Sequence, residues 1–217
     1  MKTVYFVRHG ESTGNIAPVY QAVDVTLTDS GRKQARFVAE RCEKLPIEGI
    51  ISSNQTRAKE TAEIIAEKTG HPVEFSELFR ERRKPTELNG KPFGDPEAER
   101  INELWWQSLM DKGPRVLDGE NFADLKERAG QALDFLKARS EEHLLVVTHG
   151  FYMRYIVARA LYGNNLDGKN FEPLARSLVM ENTGITVLRY GAPAVKQAWG
   201  EATPWTLWIW NDHAHLG

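Results

Sequence analysis

The chain's 217 residues suit one α/β domain spanning 1–217, and its 28 lysines and arginines nearly balance 30 aspartates and glutamates. No global positive excess points to nucleic acid or an anionic membrane, so an anion site must be local. Cys42, the only cysteine, excludes an intrachain disulfide and fits a reducing compartment; the apolar run before Arg8 is too short for a signal segment or membrane span, and the cytoplasm is the expected location.

Val4 to Val7 reads as a short buried strand running into a polar, glycine-containing loop from Arg8 to Asn15. After Thr28-Asp29-Ser30-Gly31, Ala35, Val38, Ala39 and Cys42 recur at helical spacing, which predicts a helix from about Ser30 to Lys44, ended by Pro46. Gly49 to Ser53 reads as a second buried strand. Asn54 is a plausible cap for the next helix, which carries Ala58, Ala62, Ile65 and Ala66 inward before Gly70.

Pro72 to Phe75 adds a short strand, and Glu77 to Asp95, rich in charge, Pro and Gly, reads as a long loop. Helices follow near Asp95 to Met110 and Asn121 to Ala138. His143 to Val147 is the clearest buried strand, leading through Thr148-His149-Gly150 into an apolar helix ending near Leu161. Short strands are predicted at Leu178 to Met180, Ile185 to Arg189 and Thr206 to Trp210, with turns at Asn182-Thr183-Gly184 and Gly191-Ala192-Pro193. No repeat or linker interrupts the pattern. Alternating strands and helices imply a three-layer α/β/α fold, its mostly parallel sheet carrying ligand loops at the strand carboxyl ends.

Two His-Gly loops fall at such ends. In Arg8-His9-Gly10, the arginine offers a planar fork for phosphate, the glycine lets the backbone approach closely, and a neutral His9 nitrogen can attack phosphorus. Alone, this tripeptide fits a structural histidine equally well. Arg57, near the start of the helix after the second strand, and His149, after a third strand, add donors around one anion. Such a pocket neutralises a phosphoryl group as it becomes pentacoordinate, without requiring a metal or other cofactor. The leaving oxygen also needs a proton donor, for which the charged loop offers Glu81 and Glu87; spacing alone does not choose between them.

These residues resemble the histidine phosphatase superfamily, which includes cofactor-dependent phosphoglycerate mutases and many small-molecule phosphatases. The motifs carrying the resemblance are RHGESTGN at 8–15, DVTLTDSGRKQA at 24–35, SSNQTRAKETA at 52–62, FRERRKPTELNG at 79–90 and VVTHG at 146–150. The resemblance implies a phosphoglycerate mutase-like fold with His9 as phosphorylated nucleophile and Arg8, Arg57 and His149 completing the phosphate pocket. It further implies Asn15 as a phosphate or substrate contact and Glu81, rather than Glu87, as proton donor and acceptor.

Two departures separate the chain from the mutase pattern. Glu81-Arg82 is followed by Arg83-Lys84-Pro85 where mutases carry Tyr and Gly, and Tyr20-Gln21-Ala22-Val23-Asp24 lacks their Gly-Trp before the Asp. Hydrolysis of a phosphorylated small molecule is therefore the expected outcome, with mutase activity and a catalytically silent phosphate-binding module as alternatives. Arg82 and Arg83, with Lys84, are candidates for holding a second acidic group on the substrate, although charge runs are commonly solvated loops. The tryptophans are read mainly as core, though Trp105, Trp106, Trp205, Trp208 and Trp210 are also compatible with a homo-oligomer surface. The His213-Ala214-His215 spacing is read as an ordinary terminal segment rather than a metal site.

Overall fold

The computed structural model describes residues 1–20, 24–191 and 204–217. Its elements in chain order are β1 (Lys2–Arg8), α1 (Thr13–Ile16), α2 (Asp29–Cys42), β2 (Gly49–Ser52), α3 (Thr56–Thr69), β3 (Val73–Phe75), α4 (Pro96–Leu109), α5 (Phe122–Ala138), β4 (His143–Thr148), α6 (Gly150–Tyr162), α7 (Gly168–Ser177), β5 (Ile185–Tyr190) and β6 (Trp205–Asp212). The strands form one six-stranded sheet in the order β3-β2-β4-β1-β5-β6. The first four run parallel, whereas β5 and β6 add an antiparallel edge.

Period-two alternation divides the strand side chains between two apolar layers. Leu144 and Val146 of β4 pack with α5 and α6 on one face, and Leu145 and Val147 pack with α2 and α3 on the other. Because both faces are covered, the strand reads as an unbroken apolar run. All four side chains are fully buried, each contributing roughly 1.5–3 kcal/mol.

Register brings the site together. Arg8 at the end of β1 is level with Thr148 at the end of β4, and Ser52 at the end of β2 is level with Val147. Helix α2, in the connection after β1, covers one sheet face and α6, after β4, covers the other. The connections diverge at this pair of strands, opening a crevice at their carboxyl ends where α/β proteins take their ligands.

Some expectations require correction. Gln55, not Asn54, occupies the N-cap of α3, because the Ser53 hydroxyl receives the Gln55 N–H and turns the chain one residue later. Leu178 to Met180 forms no strand: its carbonyls receive side-chain donors from Arg154, Trp210 and Arg8 instead of a ladder. Ahead of it lies α7, which the pattern did not reveal because Pro173 sits inside it. Trp205 is buried, but Trp208 is 55% exposed. The Gly191-Ala192-Pro193 turn and the Tyr20-to-Asp24 segment fall partly outside the described residues, at 192–193 and 21–23. Among the described residues, no helix is long and apolar enough to cross a membrane.

Candidate active site

The His9 imidazole is nearly fully buried, and its Nδ1 lies 2.7 Å from the Gly10 carbonyl oxygen. Nδ1–H donates to that oxygen, so the lone pair resides on Nε2, which receives the Arg57 Nε–H at 3.1 Å. Burial, followed by the positive charges of Arg57 and Arg8, pushes the His9 pKa well below its ordinary 6.5. The ring is therefore neutral near neutral pH, as a nitrogen nucleophile must be.

The loop carrying it is fixed by contacts too close for any other side chain. A Cβ on Gly10 would lie 2.5 Å from the Gly31 carbonyl oxygen, and one on Gly31 would lie 1.9 Å from that of Glu11. The start of α2 is thus pressed against the His9 loop. Thr28 joins them, accepting the Gly31 N–H at 2.9 Å while its hydroxyl donates to Glu11 Oε1 at 2.6 Å.

On the other side, residues 182–184 clamp the backbone. Asn182 Nδ2 donates to the His9 carbonyl at 2.8 Å, Thr183 N–H to that of Arg8 at 3.0 Å, and Arg8 N–H to that of Gly184 at 3.3 Å. Thr183 holds this position at φ 61°, a left-handed conformation costly for a β-branched residue. Its hydroxyl lies 3.0 Å from His215 Nε2, which ties the chain's last turn to the site.

Arg8 Nη1 donates to the Met180 carbonyl, while its buried Nε has no hydrogen-bond partner. Burial lowers its pKa, against the opposing pull of Glu81. A Cβ on Gly150 would come within 3.2 Å of Arg8 Cδ and Nε, so the second His-Gly glycine leaves room for the first motif's arginine. His149 is fully buried beside His9, with ring centroids 5.1 Å apart. It is outside the residues lining the cavity, with Nε2 2.8 Å from Ser53 Oγ and its Nδ1 without a partner. Burial and the neighbouring Arg57 keep this ring neutral as well.

Glu81 lines the same cavity, whereas Glu87 is exposed and does not. The Glu81 carboxylate sits at the N-terminus of α6, where Oε1 accepts the N–H groups of Tyr152 at 3.0 Å and Arg82 at 2.9 Å. Those bonds orient it as the first turn of a helix orients an anion. Asn15 also lines the cavity; its Oδ1 accepts the Ser12 N–H at 2.9 Å and hydroxyl at 3.1 Å, which directs the amide's donor end elsewhere.

Arg82 and Arg83 both reach the cavity, in different environments. Arg83 is exposed, and its Nε donates to the Asp118 carbonyl at 2.9 Å. Arg82 lies flat on Phe151, its guanidinium carbon 3.5 Å from the ring centroid, and burial pushes its pKa down to about 10. The charge run is not a uniformly solvated loop.

Its scaffold is buried Glu120, a residue that no sequence motif singles out. That carboxylate receives bidentate bonds from Arg80, both at 2.9 Å, two more from Arg128 at 3.0 and 3.1 Å, and the Arg83 N–H at 2.6 Å. Burial alone would raise its pKa, but the two guanidiniums hold it below the usual range. Gln55 is a second unforeseen residue: its Oε1 accepts from Glu81 N–H at 3.1 Å and Arg57 Nη2 at 3.2 Å, linking acid to arginine.

The resulting cavity of about 740 Å³ has Arg8, His9, Arg57 and Glu81 in one part and Tyr20, Phe93, Trp106 and Phe151 among its other walls. Among the described residues, no three His, Cys, Asp or Glu side chains are grouped to hold a metal ion. Fold and site together define an α/β protein with a neutral histidine and arginine donors at a sheet switch point.

Residues 4–198 match the histidine phosphatase superfamily (branch 1), and the chain belongs to that family. It is 30% identical over 220 residues to phosphoglycerate mutase-like protein 4 of Arabidopsis thaliana, covering 98% of this chain and 86% of that protein. It is also 34% identical over 165 residues to a protein named probable phosphoglycerate mutase GpmB from Erwinia tasmaniensis, covering 74% of this chain and 75% of the other. The solved structure of Bacillus stearothermophilus YhfR superimposes with a TM-score of 0.80 at 25% identity, covering 100% of both chains. A phosphoserine phosphatase mutant from Entamoeba histolytica shares the fold, with a TM-score of 0.76, 23% identity and 100% coverage of both chains.

Proposed function

We propose that the protein hydrolyses phosphomonoesters of small molecules through a phosphohistidine on His9, without a metal or other cofactor. Family membership supports an enzyme of the phosphatase or mutase kind. The observation that carries the finer reading is the His9 tautomer, with Nδ1–H engaged by Gly10 and the Nε2 lone pair held by Arg57 at the cavity.

In the first step Nε2 attacks phosphorus as the ester P–O bond breaks, and the Glu81 carboxyl gives its proton to the departing oxygen. In the second, water attacks phosphorus, Glu81 takes a water proton, and the N–P bond breaks to release phosphate and neutral His9. Arg8 and Arg57 neutralise the equatorial oxygens, His149 supports the pocket from beside His9, Asn15 contributes its amide donors, and Arg82 and Arg83 contact the substrate beyond phosphorus.

Mutase activity is the second reading, favoured by the names of the relatives from Arabidopsis and Erwinia. Against it stand Arg83-Lys84-Pro85 after the acid, where the mutase pattern has Tyr and Gly. A silent binding module is disfavoured because Glu81 lines the cavity with His9. The test is a phosphomonoester screen with product analysis and alkaline trapping of the enzyme. Free phosphate and an acid-labile label lost in His9→Ala are expected; intramolecular phosphoryl movement with little free phosphate would instead establish the mutase, and the absence of phosphohistidine would sink both.

A further inference from the structure

Two peptide groups flank His9, and each is held from both sides. In the first, His9 N–H donates to the Thr148 carbonyl at 3.0 Å, and the Arg8 carbonyl accepts Thr183 N–H at 3.0 Å. In the second, Gly10 N–H donates to Thr61 Oγ1 at 3.1 Å, and the His9 carbonyl accepts Asn182 Nδ2 at 2.8 Å. The carbonyl sides of both peptides therefore depend on residues 182 and 183. Rotation of the second peptide would swing Gly10, whose own carbonyl receives His9 Nδ1–H and so leaves the lone pair on Nε2. Asn182, Thr183 and His215 do not line the cavity, so any influence they have on the chemistry passes through these peptides.

Thr183 lies in the left-handed region at φ 61°, which a β-branched residue keeps only where its surroundings over-determine it. Its hydroxyl supplies that restraint. The single hydroxyl proton goes to the Asn182 carbonyl at 2.7 Å, so in the 3.0 Å contact with His215 the imidazole Nε2–H donates. The buried His215 Nδ1 has no hydrogen-bond partner among the described residues, and an unpaired lone pair there is better tolerated than an unpaired N–H, which selects the same tautomer. Burial, followed by the charge of Arg41, pushes the His215 pKa down to about 4, so this ring is neutral near neutral pH. The turn at Ala214–Leu216 sets its place: Asp212 takes a bidentate pair of bonds from Arg41 of α2 and accepts Ala214 N–H at 3.1 Å. Asn211 Oδ1 braces the start of the clamp, accepting Glu181 N–H at 2.9 Å. We propose that His215 is a positioning residue for the nucleophile, holding Thr183 and Asn182 so that both peptides beside His9 keep the orientation that presents Nε2 to phosphorus. This rests on the phosphohistidine reading and adds a residue outside the cavity to it.

The test uses His215→Leu, His215→Gln and Thr183→Val with p-nitrophenyl phosphate, the rates being referred to the folded fraction measured by urea unfolding. His215→Leu and Thr183→Val are each expected to lower kcat about tenfold, with slower phosphohistidine formation in rapid-quench experiments and KM within about twofold of the parent. The double replacement should cost no more than either one alone, because both break the same link. The Gln amide places an N–H near the Nε2 position and should restore most of the rate, which a role in packing alone would not allow. An unchanged kcat in His215→Leu, equal losses in His215→Gln and His215→Leu, or additive losses in the double variant overturns the positioning role while leaving the phosphatase intact. If the parent forms no phosphohistidine, the reaction reading fails separately, and nitrogen NMR of the imidazoles decides the rest. His215 should carry its proton on Nε2 and His9 on Nδ1, with the His9 signals shifting in His215→Leu and returning in His215→Gln. His9 signals unmoved by His215→Leu, or a His215 proton on Nδ1, overturn the proposal.

Discussion

Arg57 Nε donates to His9 Nε2 at 3.1 Å, so the nitrogen proposed to attack phosphorus is held by the guanidinium that, in the same proposal, turns to the phosphoryl oxygens when substrate arrives. Arg57 therefore both aligns the nucleophile and, next after burial, keeps it deprotonated. Arg57→Gln is expected to lower kcat/KM by about 10²–10³. It should also move the acidic limb of the pH profile upward, because removing the positive charge raises the His9 pKa and His9 must be neutral to react. A limb that stays in place would assign the acidic pKa to another group.

The same depression has a consequence for stability. His9 and His149 have folded pKa values below the ordinary 6.5, so the unfolded chain binds more protons as the medium acidifies. Their neutral forms leave stability undiminished above about pH 6.5, and stability is lost as pH falls from there toward the folded values, by about 1.4 kcal/mol per pH unit for each histidine. Urea unfolding at pH 7.5, 6.5 and 5.5 measures this. His149→Gln should flatten the slope by about one histidine's share, and an unchanged slope would show that His149 does not titrate on unfolding.

What was legible in the sequence followed from local pattern. Apolar runs marked β1, β2 and β4, and residues just beyond their ends, at His9, Arg57 and His149, meet because the strands are neighbours in parallel register. Thr28 and Gly31 read as a helix start and as part of the motif at 24–35, and neither reading shows that they press α2 onto the His9 loop. Glu120 was invisible because its arginine partners lie 40 residues before and 8 residues after it, joined by folding rather than by spacing. The charge run from Arg80 to Lys84 resembles solvated surface, and only packing against Phe151 and Trp105 separates buried Arg82 from exposed Arg83. The strained turn at Thr183 was recognised as a turn, but not as the clamp on Arg8 and His9.

Glu120→Ala leaves Arg80 and Arg128 without their shared carboxylate in a largely buried setting. A loss of about 3–5 kcal/mol in urea unfolding is expected. Because the Arg83 N–H is released as well, Glu81 and Arg82 lose their fixed positions, and kcat/KM should fall even in the fraction that remains folded. Glu120→Gln, which keeps an acceptor oxygen, should be intermediate; full stability in Glu120→Ala would mean the network is not structural.

Asn182→Ala removes the donor to the His9 carbonyl without touching the cavity wall. The expected effect is a fall in kcat of about tenfold with KM little changed, read most directly as slower phosphohistidine formation in rapid-quench experiments. Asn182→Asp, which lacks the amide donor, should not rescue it. A change confined to KM would argue that the turn shapes binding rather than the nucleophile.

Glu81 and Glu87 are separated by the dependence on leaving group. A proton donor matters most when the departing oxygen is basic and least when it leaves readily as an anion. Glu81→Gln keeps one acceptor oxygen for the α6 N–H of Tyr152 but has no proton to give. It should slow hydrolysis of alkyl phosphates by about 10²–10⁴ and of p-nitrophenyl phosphate much less, so that a plot of rate against leaving-group basicity steepens. Glu87→Gln, at an exposed position outside the cavity, should leave both slope and rate near those of the parent enzyme. If instead Glu87→Gln steepens the plot and Glu81→Gln does not, the proton comes from the second carboxylate after a loop movement, and the capping of α6 is the whole role of Glu81.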